Sequence, residues 1–139
     1  MLIEQRPAGV QSLIPGTHVK AWSATLPGFK HHAIVGWPMP DGTPALIHNT
    51  LPDGVSVTPL SQAFKPGQPI EIVQVPASYE QQAMILDRAY SLVGRLPWKP
   101  ESNCEHFATW AFTGESNSHQ LMRLMIGIAF ACFLIKTRR

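Results

Sequence analysis

Charged side chains are scarce in this chain, at 14% of its 139 residues, against roughly 25% in an average soluble domain. This scarcity excludes long coiled coils and acidic disordered segments, because both depend on many charges. The formal net charge is only +2, too weak for the basic surface that nucleic-acid binding requires. We therefore expect no nucleic-acid partner. The length suits one domain, or one domain with a tail.

Cysteine is also scarce, because Cys104 and Cys132 are the two in the chain. Two cysteines cannot form the disulfide framework of a small secreted domain, so a reducing compartment or one functional thiol fits better. The sequence has no glycine-rich phosphate loop, no Gly-x-Ser-x-Gly elbow and no CxxC or HxxxH spacing. We expect no cofactor and no metal. A zinc site would have to combine Cys104 with His31, His48 and His106, and no spacing supports it.

Long apolar runs are missing from the N-terminal part, and residues 1–15 lack the continuous stretch of a secretion signal. We interpret these residues as a loose leader. The C-terminal part differs, because residues 124–135 (LMIGIAFACFLI) are twelve apolar residues without a break, followed by KTRR. A helix of this length covers about 18 Å, short of the roughly 30 Å of a bilayer core, but it has no polar face. We predict that residues 121–139 form a membrane-embedded tail on a membrane-associated protein that faces the cytoplasm. A buried terminal helix of the core is the alternative.

Short apolar segments between proline and glycine turns are typical of strands joined by tight links. Five segments have this character: THVKAWSA (17–24), HHAIVGW (31–37), TPALIHN (43–49), VSVT (55–58) and IEIVQV (70–75). The short links favour antiparallel pairing. Helical spacing follows, with one helix from a cap at Ser78 to a stop at Gly94 and a second helix that stops at Gly114. Strands followed by helices indicate an α+β fold, with helices packed on a sheet of about five strands.

Cys104 lies at the predicted start of the second helix, where Ser102 and Glu105 have the spacing of a capping box. At a helix start the sulfur lies near unpaired backbone N–H groups and the positive end of the helix dipole. These features lower the pKa of a thiol and favour the nucleophilic thiolate. Cys104 shares a helical stripe with Phe107 and Ala111, so we expect it to face the sheet. A buried structural cysteine is the alternative.

A nucleophilic cysteine needs a base, and histidine is the usual one. His31 and His32 are neighbours on one strand, so their side chains point to opposite faces and only one can face the helix layer. His48 ends the next strand, where it can orient a base through the second ring nitrogen. Cys104, His31 and His48 are therefore the candidate nucleophile, base and orienting residue. His106, two residues after Cys104, points away from this site.

Three segments together resemble the lecithin:retinol acyltransferase family: HHAIVGW, ALIHNT and SNCEHFATWAFTGESNSHQL. The run Asn-Cys-Glu-His-Phe at residues 103–107 matches the nucleophile motif of that family without change. The resemblance covers roughly residues 16–120. The chain departs from the family pattern after the first histidine, where Val35-Gly36-Trp37 and the longer loop PMPDGTP separate the two histidine motifs more than usual.

The resemblance implies a permuted papain-like fold, similar to that of the NlpC/P60 proteins, in which the histidines precede the cysteine. It implies Cys104 as nucleophile, His31 as general base and His48 as the orienting histidine. Residues 16–120 would then form the catalytic domain of a thiol-dependent acyltransferase or phospholipase. An acyl group would pass from a phospholipid-type ester to Cys104, and then to water or an acceptor. The alternatives are a cysteine peptidase or amidase of NlpC/P60 type, and a non-catalytic binding module that keeps the motifs for structure.

Overall fold

The computed structural model describes residues 13–23, 28–51, 53–64, 67–95, 99 and 103–115. These residues form β1 (His18–Trp22), β2 (Lys30–Val35), β3 (Ala45–Thr50), β4 (Gly54–Pro59), α1 (Leu60–Ala63), β5 (Glu71–Gln74), α2 (Tyr79–Ser91) and α3 (Cys104–Thr113). Most of the predicted leader, and all of the predicted apolar tail over residues 121–139, lie outside the described residues. In the described part, no helix combines the length and the apolar character needed to cross a membrane.

The five strands form one sheet in the order β4-β3-β2-β1-β5, and every neighbouring pair is antiparallel. Antiparallel pairing follows from the tight links. In the β2–β3 link, for example, Asp41 accepts hydrogen bonds from the backbone N–H and the hydroxyl of Thr43 at 3.1 and 2.7 Å. The predicted α+β class, with an antiparallel sheet of about five strands, is confirmed. Each strand lies mainly within its predicted segment.

The two faces of the sheet carry separate apolar clusters, because successive side chains of a strand point to opposite faces. One face packs against α2 and α3, and its buried residues are Ile34, Ile47, Val55, Ile85, Leu86, Ala89, Phe107, Ala108, Ala111 and Phe112. The opposite face packs against α1 and the chain after it, through Val19, Ala21, Ala33, Val35, Leu46, Leu60 and Phe64. The side chain of a β2 residue therefore reaches the layer of α3 only at even-numbered positions.

The ends of the two long helices are satisfied by side chains. The Ser78 hydroxyl caps α2 by accepting the N–H of Gln81 at 3.0 Å, as the sequence predicts. At the C-terminal end of α3, the Arg88 side chain donates hydrogen bonds to the carbonyls of Ala111 and Phe112 at 2.8 and 3.1 Å. These carbonyls belong to the last turn of α3, where no later helical N–H is available. Arg88 therefore joins α2 to the C-terminal turn of α3.

The start of α3 differs from the prediction, because the N-cap is Asn103 and not Ser102, which lies outside the described residues. Asn103 Oδ1 accepts the His106 N–H at 3.0 Å, and His106 Nδ1 accepts the Asn103 N–H at 3.4 Å. The predicted capping role of Glu105 is thus wrong, because a ring nitrogen of His106 accepts that bond instead. Cys104 becomes the first helical residue, and Glu105 is buried with 5% of its surface exposed.

The β2–β3 ladder stops early. It comprises two pairs, Ile34 with Ile47 and Val35 with Leu46. Yet β2 contains the earlier residues 30–33, and β3 continues through residues 48–50, which pair with β4. We call the region between residues 30–33 and residues 48–50, where β2 and β3 form no ladder pair with each other, the fork. Backbone groups that face the fork are available to partners other than a neighbouring strand.

Candidate active site

Cys104 lies at the fork. Its sulfur is 3.9 Å from the carbonyl oxygen of Lys30, to which the S–H donates, and the backbone N–H of His32 lies close enough to lower the pKa of the thiol. Odd-numbered residues of β2 bond to β1, as the 2.9 Å bond from the Val35 N–H to the Thr17 carbonyl illustrates. Because neighbouring residues alternate in an antiparallel ladder, the backbone groups of Lys30 and His32 point away from β1. The thiol therefore occupies a place where β3 would otherwise pair.

His31 and His48 are joined directly across the fork. His31 Nε2 lies 2.7 Å from His48 Nδ1, and the two rings meet edge-on with centroids 5.0 Å apart. The second nitrogen of His48, Nε2, lies 2.9 Å from the hydroxyl oxygen of Thr58 on β4. This places three polar groups in a line, with Thr58 at its outer end and the His31 ring at its inner end.

Both rings of this pair stay uncharged at pH values well below 7. Burial, together with the neighbouring His48 and His32, lowers the pKa of His31 to about 3. Burial lowers the pKa of His48 to about 4. A neutral imidazole has one protonated nitrogen and one lone pair. Each ring of the His31–His48 pair therefore keeps a lone pair at physiological pH, and burial opposes its protonation.

Of the two adjacent histidines, His32 faces the layer of α3 and His31 faces the other side. The His31 ring lies edge-on to Phe64 with centroids 6.1 Å apart, and Phe64 belongs to the face that carries α1. The two histidines thus point to opposite faces, as expected for neighbours on one strand, and His32 is the one that shares the α3 side with Cys104. Among the residues that the structure describes, no hydrogen bond joins the Cys104 thiol to an imidazole. The thiol instead contacts the backbone on both sides of His31.

The pKa of Cys104 is also opposite to our expectation. Burial raises the pKa of the thiol above its usual value, and the carboxylate of Glu105 raises it further, against the lowering effect of the His32 N–H. The thiol is 8% exposed and is not in a disulfide. Desolvation thus outweighs the stabilisation that the sequence led us to expect from the helix start. The resting form of Cys104 is the thiol.

A second group of titratable residues, which the sequence did not reveal, lies on the α3 side of β2. His18 Nε2 is 2.8 Å from His32 Nδ1, and His32 Nε2 is 3.3 Å from Glu105 Oε2. All three side chains are buried, with 5 to 6% of each residue exposed. The β1–β2 register brings them together, because His18 is paired with Ile34, one diagonal step from His32. The alternation of His18 and His32 with buried apolar residues was the only signal, and it does not fix a register.

These three side chains line part of a cavity of about 460 Å³ beside α3, together with Lys20, Trp22, Gly28, Lys30, Val73, Gln74, Thr109, Phe112 and Thr113. Within the described ranges, no three His, Cys, Asp or Glu side chains are arranged to hold a metal ion. The zinc set considered above is not assembled, since the His106 ring nitrogen caps α3.

Comparison of the chain with protein-family models gives no match, and comparison with curated proteins gives no significant match. Any assignment of activity therefore depends on the chemistry that the fork and its side chains allow.

Proposed function

We propose that this chain is a thiol-dependent acyltransferase or hydrolase, with Cys104 as nucleophile, His31 as general base and His48 as the residue that orients His31. One observation carries the proposal. The Cys104 sulfur contacts the backbone of Lys30 and His32, the two neighbours of His31, at the fork that the His31–His48 pair spans. The three residues to which we assign these roles thus border the same break in the sheet.

The hydrogen bonds of His48 favour one assignment of the protons. If His48 Nε2–H donates to the Thr58 hydroxyl oxygen, His48 Nδ1 accepts the Nε2–H of His31. The lone pair of His31 then lies on Nδ1, which is the nitrogen that would receive the thiol proton. The proposal requires Nδ1 to approach the sulfur through the fork when substrate binds. Catalytic hydrogen bonds often tighten only in the substrate complex.

The reaction would begin with the neutral pair. As the sulfur attacks an ester carbonyl, its proton passes to His31, and backbone N–H groups at the start of α3 can stabilise the oxyanion. The proton then passes to the leaving alcohol, and a thioester remains on Cys104. In the second half, His31 removes a proton from water or from an acceptor, which attacks the thioester and releases the thiol. Because the pKa of the thiol is raised and that of His31 is lowered, the proposal requires the proton to move as the sulfur attacks the carbonyl, without a resting thiolate–imidazolium pair.

The substrate class follows from the resemblance given above. We propose a phospholipid-type ester as acyl donor and a permuted papain-like arrangement of the catalytic domain, without a cofactor. Residues 121–139 would hold the protein at the cytoplasmic side of a membrane. Deletion of these residues should abolish flotation with liposomes that contain anionic lipid and preserve hydrolysis of a dispersed short-chain ester. Misfolding of the shortened chain would instead make these residues part of the core.

A non-catalytic binding module is the second candidate, and one observation favours it. The Cys104 thiol is buried, bonded to the strand backbone and raised in pKa, which are features of a structural cysteine. In this alternative, the fork is a rigid surface feature and Cys104 packs α3 against β2. The two candidates differ in whether a covalent acyl adduct ever forms on the sulfur.

The deciding experiment follows acylation of the full chain. The protein is incubated with mixed phospholipids and with a dispersed short-chain chromogenic ester, and mass spectrometry locates any acyl adduct. We expect a thioester on Cys104. Cys104→Ala should lower turnover by roughly three orders of magnitude or more, as for other catalytic nucleophiles. The matched control, Cys132→Ala, should turn over normally. A Cys104→Ala variant with the wild-type rate would refute the mechanism, and a folded wild-type chain without adduct or turnover would favour the binding module.

A further inference from the structure

The imidazole of His32 ties the first turn of α3 to the sheet. Both ring nitrogens of His32 are engaged, Nδ1 by His18 at 2.8 Å and Nε2 by Glu105 at 3.3 Å. Glu105 is the residue after Cys104, and the backbone N–H of His32 is one of the groups that lower the pKa of the Cys104 thiol. Glu105 of α3 and His32 of β2 are thus connected through their side chains. The same two residues also lie beside the Cys104 thiol.

The protons of this cluster follow from the carboxylate. An ionised Glu105 can only accept, so it fixes His32 with the proton on Nε2. His32 Nδ1 then accepts the Nε2–H of His18, and the lone pair of His18 is on Nδ1. Because His18 lines the cavity of about 460 Å³, a small solute can reach this end of the chain of hydrogen bonds. The cluster thus runs from His18 to the start of α3 through one hydrogen bond, between His18 and His32, and one ion-pair contact, between His32 and Glu105.

The other charged side chains near the cluster lie on β1, β2 and β5. Lys30 forms an ion pair with Glu71 of β5, and Lys20 lies between Glu71 and His32 in the sheet register. The titratable groups around the thiol are His18 and Lys20 on β1, Lys30, His31 and His32 on β2, His48 on β3, Glu71 on β5, and Glu105 and His106 on α3. Glu105 is the carboxylate among them that acts directly on the Cys104 thiol.

We propose that Glu105 and His18 are positioning residues, which hold His32 by its two ring nitrogens and thereby set where the Cys104 sulfur sits and how readily it loses its proton. This role for Glu105 rests on the proposed function only in so far as the thiol is used in catalysis. The position and the reactivity of the sulfur can be measured whether or not the chain turns over an ester.

The test measures alkylation of Cys104 by iodoacetamide in the full chain as a function of pH, with the Cys104 peptide quantified by mass spectrometry. Glu105→Gln keeps an acceptor for His32 and removes the charge. We expect the thiol titration to move to lower pH, and alkylation at neutral pH to rise about three- to tenfold, because a carboxylate no longer opposes the thiolate. The matched control is Glu71→Gln. It removes a carboxylate on the same side of the sheet, but one that forms its ion pair with Lys30 and not with His32. It should leave the Cys104 profile unchanged.

His18→Ala tests the other end. Without the His18 donor, His32 is held at one nitrogen, so we expect the Cys104 sulfur to become more accessible and its alkylation to rise at least about threefold, within the range that small changes in thiol environment produce. Millimolar imidazole should enter the cavity and restore the wild-type profile, while leaving the wild-type protein unaffected. A purely structural role would not give rescue by imidazole.

Two results would overturn the proposal: a Glu105→Gln titration identical to that of Glu71→Gln, or a folded His18→Ala variant that imidazole does not change. If His18→Ala does not fold, the Glu105→Gln comparison decides alone. The expected alkylation shifts in a chain without acyl adduct or ester turnover would uphold the positioning role and refute the proposed function.

Discussion

The proposed direction of the hydrogen bonds that end at His31 requires the Thr58 hydroxyl to act as an acceptor. Its hydroxyl can accept the His48 Nε2–H and so leave His48 Nδ1 as the acceptor for His31. Thr58→Val keeps the shape of the side chain and removes this acceptor. We expect kcat for ester hydrolysis to fall about ten- to a hundredfold with little change in KM, because His48 then populates the wrong tautomer. Steady-state kinetics of the purified variant give both constants.

Two variants keep this prediction specific. Thr58→Ser retains the hydroxyl and should retain most of the activity. Thr50→Val removes a hydroxyl on the neighbouring strand that bonds only to the carbonyl of Gly54, at 3.4 Å, and should have a normal kcat. Equal losses in Thr58→Val and Thr50→Val would mean that the Thr58 hydroxyl does not act through His48.

Residue identity carried much of the candidate site but not its arrangement. The motif around Cys104, and the strand positions of His31 and His48, could be read from the order and spacing of residues. The side on which His31 lies could not, because a strand pattern shows two faces and does not say which face receives the helices. Glu105 was also misread, since it fits a capping box by spacing, whereas the fold buries it against His32.

At the scale of elements, Arg88 holds α2 and α3 together at one end. Arg88→Gln removes two charge-assisted bonds to the carbonyls of Ala111 and Phe112. The expected loss is about 1–3 kcal/mol of unfolding free energy, or a fall in Tm of several degrees. Thermal and urea unfolding measure it. The control is Arg95→Gln, at an exposed position after α2, which should change the stability little. Equal stability of the two variants would show that this contact is not important for α3.

Element existence was easier to predict than element ends. All five strands and both long helices were expected, because apolar alternation, helical spacing and the punctuating glycines are local signals. The N-cap of α3 was placed one residue early. Ser102 and Asn103 are both good N-cap residues, and the choice depends on His106, whose ring nitrogen completes the capping box with Asn103. The one-turn helix α1 gave no signal of its own.

At the scale of the whole molecule, buried neutral histidines make the fold sensitive to acid. The pKa of His18 and of His31 is lowered to about 3 and that of His48 to about 4, in each case mainly by burial. Below about pH 6.5 these histidines bind protons in the unfolded chain but not in the folded chain. Their contribution to the free energy of unfolding is therefore fully present above that pH and is lost as the pH falls toward the folded pKa values. Each histidine contributes about 1.4 kcal/mol per pH unit in this window.

Three such groups give a slope of about 4 kcal/mol per pH unit, against a total stability of about 5–15 kcal/mol for a domain. We therefore expect acid unfolding with a midpoint between about pH 3 and 5. Circular dichroism and urea titrations at several pH values measure it. His18→Gln should reduce the slope by about a third. A free energy of unfolding that stays constant from pH 6.5 down to 5 would contradict this account.

The early end of the β2–β3 ladder has a consequence for how the protein can change over generations. A sheet that continued this pairing along residues 30–33 and 48–50 would gain several backbone hydrogen bonds, each with a net contribution of about 1 kcal/mol. The natural chain forgoes this gain at the one place where its thiol meets the strand backbone. Selection for heat resistance alone would favour pairing of β2 with β3 along the whole fork. That pairing would displace the Cys104 sulfur from its place beside the β2 backbone. Heat-resistant variants should therefore fall into two groups. In one group the fork is intact and the stabilising changes lie elsewhere. In the other the β2–β3 ladder is longer and the function of the Cys104 thiol is lost.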